Sequence, residues 1–243
     1  LNPKHGVPHK DCGDNGVVDL KKDYDQEIDP IEGEVAWNGA PVVAKNVVIV
    51  GASHRAGTAP RSMKNTKGFI RGFDARTGKR LWIFHTIPQP GEFGNDTWLE
   101  KSWEYTGNTG VWTQIAVDEN LGIAYLPVED PTGDYFGGHR PGNNLFGSSL
   151  VAVDLQTGKR IWHFQLNHHP IWDYDIPCAP MLVDITVDGK TIAAIAQPTK
   201  QGYTFVFDRK TGQPVWPIEE RPVEQGTLPR EWYSPTQPFP TKP

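Results

Sequence analysis

The sequence predicts an all-β protein of the propeller class, built of four-stranded antiparallel blades, and three observations carry that expectation. One pattern occurs three times without gaps, at positions 72–82, 152–162 and 206–216. Each copy follows a short alternating apolar run, such as Ser149-Leu150-Val151-Ala152-Val153. The 243 residues include 25 Gly, 22 Pro and nine Trp, with 37% hydrophobic residues. That mixture suits tight turns and aromatic anchors rather than a helical bundle.

Each copy of the repeat reads as a hairpin. The apolar run is a strand. Asp74, Asp154 and Asp208 open the turn by accepting backbone N–H bonds, and Gly78, Gly158 and Gly212 supply a positive φ. Trp82, Trp162 and Trp216 follow on the returning strand, each a large apolar body with one N–H to satisfy, suited to docking between sheets. Such a unit cannot bury both faces alone, and radial stacking solves the problem. The copies start 80 and 54 residues apart. The longer gap holds a Pro-, Gly- and aromatic-rich stretch at 86–108, expected to be a functional or covering loop. Residues 117–126 and 182–194 give further strand–turn–strand signals. Residues 217–243 are Pro-rich with little periodicity and are expected to run extended over a surface. The hairpins amount to about four blades within one propeller domain spanning 1–243. An incomplete ring exposes sheet edges, so further blades are expected from sequence outside this chain or from another chain.

Composition excludes several function classes. The net charge is −5 and no basic stripe is present, which argues against nucleic acid. No apolar run approaches the roughly 18 residues of a spanning helix. The start, Leu1-Asn2-Pro3-Lys4-His5-Gly6, has no signal-peptide pattern and reads as the middle of a structural unit. Cys12 and Cys178 are the two cysteines, and their separation leaves a disulfide between them open. No Cys-x-x-Cys-His run is present for covalent haem.

Three stretches carry a more specific likeness. His168-His169-Pro170-Ile171-Trp172-Asp173-Tyr174-Asp175 resembles the His-His-x-x-Trp-Asp-x-Asp stretch of the quinoprotein glucose dehydrogenases. Pro198-Thr199-Lys200-Gln201-Gly202 with Phe205-Val206-Phe207-Asp208-Arg209 resembles their lysine-bearing strand. Thr109-Gly110-Val111-Trp112, with Tyr125-Leu126-Pro127 and Gly137-Gly138-His139-Arg140, resembles the stretch that lays a tryptophan under the quinone. The likeness runs from about residue 12 to 243 and is nearer the sugar- and polyol-oxidising members, because an adjacent Cys-Cys pair is absent. It implies about half of an eight-bladed ring and the middle of a longer enzyme. The implied cofactors are pyrroloquinoline quinone (PQQ) and Ca²⁺. The implied partners are a sugar or alcohol substrate and a membrane quinone or cytochrome as electron acceptor, in the bacterial periplasm.

The resemblance assigns roles that the residue chemistry can be weighed against. Asp173 is the general base that takes the substrate's hydroxyl proton, although Asp in a β protein is commonly a turn cap. Lys200, 27 residues later, donates to the quinone oxygens, although most lysines are simply solvated. Trp112 lies outside the repeated turn pattern and offers a flat face for the cofactor ring. Ser53 and Asn38 match polar residues that hold the cofactor carboxylates. His168 and His169 line the substrate entrance, and as neighbours on a strand they would point to opposite faces, which argues against a shared zinc. The calcium ligands fall on Asp173 and on Asp130 or Thr132, while the position of the family's loop carboxylate is Ala56, which cannot bind metal. The competing readings are a non-catalytic propeller scaffold and a lectin-like sugar binder. Neither has a use for an acid, a cation and a stacking face at these spacings.

Overall fold

The computed structural model describes residues 4–28, 35–54 and 63–242. Fifteen strands run in chain order among the described residues. The first group is β1 (Val35–Ala36), β2 (Val42–Ala44), β3 (Val47–Val50), β4 (Ser53–His54), β5 (Ile70–Asp74) and β6 (Arg80–Phe84). Next come β7 (Ala116–Asp118), β8 (Ile123–Pro127), β9 (Ser149–Asp154) and β10 (Arg160–Gln165). The last are β11 (Met181–Val187), β12 (Lys190–Pro198), β13 (Thr204–Asp208), β14 (Ile218–Pro222) and β15 (Thr236–Pro240). They form two four-stranded meanders, β2-β3-β5-β6 and β7-β8-β9-β10, a three-stranded sheet, β11-β12-β13, and the pairs β1-β4 and β14-β15. Every ladder is antiparallel.

The repeated turns have the chemistry that their residues dictate. The Oδ1 atoms of Asp74, Asp154 and Asp208 accept from the backbone N–H of Thr77, Thr157 and Thr211 at 2.7, 2.8 and 2.8 Å, and from the same threonines' hydroxyls. Gly78, Gly158 and Gly212 have φ of 72, 67 and 74°. Trp82 and Trp162 dock forward, each onto the next sheet, whereas Trp216 lies in a bend rather than on a returning strand and packs on its own sheet against Ala194, Ala196 and Val206. Trp82 Nε1 donates to Leu155 O at 3.0 Å, and Trp162 Nε1 donates to Arg209 O at 3.2 Å. Each indole lies on the turn glycine of that next sheet. A Cβ on Gly158 would be 2.6 Å from Trp82, and one on Gly212 would be 2.6 Å from Trp162. The glycine therefore serves twice, in backbone conformation and in close approach. Gly158→Ala combines a strained left-handed alanine with overpacking against an indole that its hydrogen bond holds in place, and should cost about 2–4 kcal/mol. A fall in the urea or thermal unfolding midpoint measures it, and an unchanged midpoint refutes this account of the turn.

The core lies between sheets. Ala124, Leu126, Val151 and Val153 pack toward Val47, Ile49, Ile70 and Trp82. Their alternates Ile123, Tyr125, Leu150 and Ala152 pack toward Trp162, Ile195, Phe205 and Phe207. The middle sheet is thus covered on both faces, which is why β8 and β9 are nearly continuous apolar runs.

Two further details depart from the sequence reading, and a third closes a question it left open. The tail is extended, as expected, but two of its segments pair as β14 and β15. A two-stranded sheet has both outer edges free, so Pro222, Pro238 and Pro240 break no interior ladder. Residues 86–108 include short 3₁₀ turns at Asn95–Thr97 and Leu99–Glu104. Cys12 and Cys178 are both free thiols.

The meander order decides where chemistry can collect. In an antiparallel meander, the start of one strand and the end of the next share a side. Asn38 precedes β2 and Ser53 follows β3; Trp112 precedes β7 and Asp130 follows β8; Asp173 precedes β11 and Lys200 follows β12. These residues lie at one end of their sheets, and the repeated turns after β5, β9 and β13 lie at the other.

Candidate functional site

The segment 107–113 ties the sheets together at that end. Val111 N donates to Ala52 O at 2.6 Å, beside Ser53. Thr109 N donates to Asp130 O at 3.2 Å, and Gly110 N donates to Glu129 Oε1 at 3.1 Å. Thr113 Oγ1 reaches Pro177 O at 3.5 Å, in the segment that follows Asp173. The approach is closest at Gly110, where a Cβ would lie 1.7 Å from Ala52 O. Gly39, next to Asn38, packs on the other flank, where a Cβ would lie 2.6 Å from Thr113 O. Trp112 is held in the middle, half-buried, and its Nε1 is buried without a hydrogen-bond partner.

Asp173 and Lys200, 27 positions apart, meet. Lys200 Nζ lies 3.0 Å from Asp173 Oδ1, 2.9 Å from Asp173 O and 3.7 Å from Asp175 Oδ2. Tyr135 Oη donates to the other carboxylate oxygen, Asp173 Oδ2, at 3.0 Å. Asp173 itself has φ 54°, a left-handed conformation that aspartate tolerates better than most residues. Burial would raise its pKa, but the hydrogen bonds from Lys200 and Tyr135 outweigh burial and hold it below the ordinary carboxylate range. Burial would likewise lower Lys200, yet its bond to Asp173 and the charge of Asp175 raise it. At neutral pH the pair is carboxylate and ammonium.

Behind the pair lies a group of buried acids. Asp130 Oδ1 accepts from the Ser148 hydroxyl, and Oδ2 accepts from Tyr174 N at 3.1 Å. Asp175 Oδ1 accepts from Asp130 N at 2.7 Å. Burial pushes Asp130 up to about 6, against the pull of Ser148 and Arg140, and raises Asp175 and Glu129 well above the ordinary range.

Arg140 frames the whole. It is fully buried and donates to Thr132 O at 3.2 Å, Asn144 Oδ1 at 2.8 Å, Gly133 O at 2.8 Å and Pro170 O at 2.5 Å. One cation thereby fastens the long β8–β9 connection to the segment carrying Asp173. His169, 2% exposed, sits beside it, with Nδ1 2.8 Å from Gly142 O and Nε2 3.2 Å from Glu231 Oε1. Burial and the Arg140 charge hold His169 down to about 4. Gly137 makes room for that imidazole, since a Cβ there would lie 2.5 Å from His169 Nε2.

Asp173 and Lys200 are in contact; Trp112 lies on the 107–113 segment, whose hydrogen bonds go to Ala52, Glu129, Asp130 and Pro177, and Asn38 and Ser53 adjoin residues that this segment touches. Asn38 is exposed. Ser53 pairs with Ala36 in the β1-β4 ladder. His168 and His169 occupy a bend rather than a strand, and they still diverge, His168 toward Glu220 at 3.0 Å and His169 toward Glu231. Ala56 lies outside the described residues. The sequence reading missed Asp175, Tyr135, Glu129, Arg140 and Glu231 as parts of this assembly. Asp175 and Arg140 stand inside the stretches that carried the resemblance, but their partners lie 30 or more residues away in several cases.

The donor set fits a planar, anionic quinone: an ammonium at Lys200, an unpartnered buried indole N–H on Trp112, and the face of that indole. It does not fit a metal ion. Both oxygens of Asp130 are engaged, Thr132 Oγ1 accepts from Asn65 Nδ2 at 3.2 Å, and Asp173 is paired with Lys200. Among the described residues no group of three His, Cys, Asp or Glu is disposed to hold one. The calcium expectation at Asp173, Asp130 and Thr132 therefore finds no oxygen cage here.

The family model "PQQ: Glucose/ethanol/alcohol dehydrogenase, beta-propeller domain" matches residues 1–243. The chain belongs to this PQQ β-propeller family. Its relatives include the quinoprotein glucose dehydrogenase of Escherichia coli, 34% identical over 98% of this chain and 29% of that protein. Quinoprotein glucose dehydrogenase A of Acinetobacter calcoaceticus is 37% identical over 98% and 30%. The glycerol dehydrogenase large subunit of Gluconobacter oxydans is 35% identical over 94% and 30%. Among solved structures, the quinohemoprotein alcohol dehydrogenase of Comamonas testosteroni matches with a TM-score of 0.69 and 28% identity, over 86% of this chain and 32% of that one. This PQQ β-propeller chain thus spans about 30% of the length of the curated relatives it matches. Its sheets are propeller sheets, and the likeness read from its three stretches holds over the whole chain.

Proposed function

We propose that the chain supplies the catalytic face of a PQQ-dependent dehydrogenase that oxidises a sugar, polyol or other alcohol. The carrying observation is the contact between Asp173 and Lys200 at 3.0 Å, in a chain of this family. When bound, PQQ supplies the hydride acceptor. The chain's own residues do the rest. Asp173, ionised and oriented by Tyr135, accepts the hydroxyl proton of the substrate at a carboxylate oxygen. Lys200 is placed to donate to a quinone oxygen and to stabilise charge as the ring is reduced. In this reading the face of Trp112 fixes the ring plane, and Asn38 and Ser53 bind the ring's carboxylates; their support is the position of both at the same end of the sheets as Trp112. The redox balance requires a second acceptor, a membrane quinone or a cytochrome, and a periplasmic setting suits both. No step is assigned to calcium.

A fluorescence titration with PQQ tests this reading, on this chain and on the complete polypeptide, with and without Ca²⁺. Saturable quenching that disappears in Trp112→Ala is the expected result. No quenching of the complete polypeptide under either condition would sink it.

A further inference from the structure

A cleft of about 550 Å³ adjoins the Asp173 segment, within the size range of small-molecule sites. Trp172, Tyr174, Tyr203 and Tyr233 line it, together with Asn167 and Gln225; neither Asp173 nor Lys200 does. The hairpin β14-β15 and the connection between its strands form the far wall. The cleft therefore shares its chain segment with the catalytic pair but not its surface.

Three features define what it takes. Trp172 is a bulky aromatic left 63% exposed beside the cleft, on a segment otherwise well packed. Asn167 is a wall residue, 4% exposed, whose Nδ2 is buried without a hydrogen-bond partner, an unspent donor that ordinarily costs stability. Besides its tyrosines, the wall residues with an ionisable group are His169, already paired with Glu231, and the exposed Glu224, and no Lys or Arg lines the cleft to hold an anionic ligand. Amides and phenols alternate with aromatic faces. That chemistry matches a ring with hydroxyls at its rim and C–H groups on its faces.

We propose that this cleft binds a neutral sugar or polyol as a second site, distinct from the place where the proton is abstracted. The choice of ligand class rests in part on the function proposed above; the place and the wall chemistry do not. An occupant would contact Trp172 and Tyr174, the residues before and after the base in the chain, while the base itself is not part of the wall.

The test is saturation-transfer NMR on the complete polypeptide without PQQ, with methyl α-D-glucopyranoside and glycerol as probes. Trp172→Ala, Tyr233→Ala and Asp173→Asn are compared with the parent. Trp172 is exposed, so its truncation removes little packing, and Tyr233 offers an independent wall position. The expected result is a saturable signal from at least one probe, weakened about tenfold in both wall variants and kept in Asp173→Asn. No saturable signal from either probe, equal signals in the two wall variants and the parent, or loss of signal in Asp173→Asn would overturn the proposal. The PQQ titration on the same samples keeps the two ideas apart. Quenching without sugar binding leaves the dehydrogenase reading standing and removes the cleft, and sugar binding without quenching does the reverse.

Discussion

Asp173→Asn should lower kcat by about 10²–10⁴-fold in the complete polypeptide while leaving PQQ quenching intact. Asparagine keeps the shape of the side chain and its contact with Tyr135, but it cannot take a proton. The pH dependence follows from the environment of Asp173. Burial opposes ionisation there, yet the hydrogen bonds from Lys200 and Tyr135 prevail and depress its pKa. A base with a depressed pKa is ionised above that value, so kcat/KM should hold level through mild acid and fall only as pH drops through it. The same depression contributes stability that is present above the ordinary aspartate pKa and lost as pH falls through the folded value. Steady-state rates with an artificial dye acceptor across pH measure the first effect. An Asp173→Asn variant with parental kcat would remove Asp173 from the chemistry.

Arg140→Ala should cost about 3–5 kcal/mol, the range for breaking a buried charged network by removing one member. The loss is large because four acceptors, Thr132 O, Gly133 O, Pro170 O and Asn144 Oδ1, each lose the guanidinium as a donor at once. Asp130 and Glu231 also lose the cation nearest them. Arg140→Lys should restore little, because an ammonium cannot present a planar fork to acceptors on separate segments. Denaturant unfolding checks the magnitude. The PQQ titration checks the consequence, since the segment carrying Asp173 is anchored through Pro170. If Arg140→Lys matches the parent in both, the planar clamp is not what holds these loops.

The sequence alone determined the propeller class, because each local signal is self-contained. Asp74, Thr77 and Gly78 make their turn within five residues, and the same turn recurs at Asp154 and Asp208. The role of Trp82 was legible as docking, though not that its landing point would be Gly158, 76 residues on. The pair Asp173 and Lys200 was legible only through the stretches that resemble a family. Nothing in their spacing brings them together until β11 and β12 pair and set their outer ends side by side.

Tertiary structure decided what those residues experience. Arg140 stands in a stretch that carried the resemblance, with no role of its own legible there, and it is the fully buried clamp between the β8–β9 connection and the segment carrying Asp173. Asp130 and Thr132 are expected as metal ligands, and the fold gives their side-chain oxygens hydrogen bonds from Ser148, Tyr174 and Asn65, partners that no local pattern announced. The cleft beside Trp172 has its far wall because β14 and β15 double back as a hairpin, bringing residues 223–239 opposite the 166–174 segment. The physical reason is one of range. Turn chemistry and strand alternation are set by neighbours a few residues away. Burial, charge balance and cavities are set by partners tens of residues apart, which only the folded chain brings into contact.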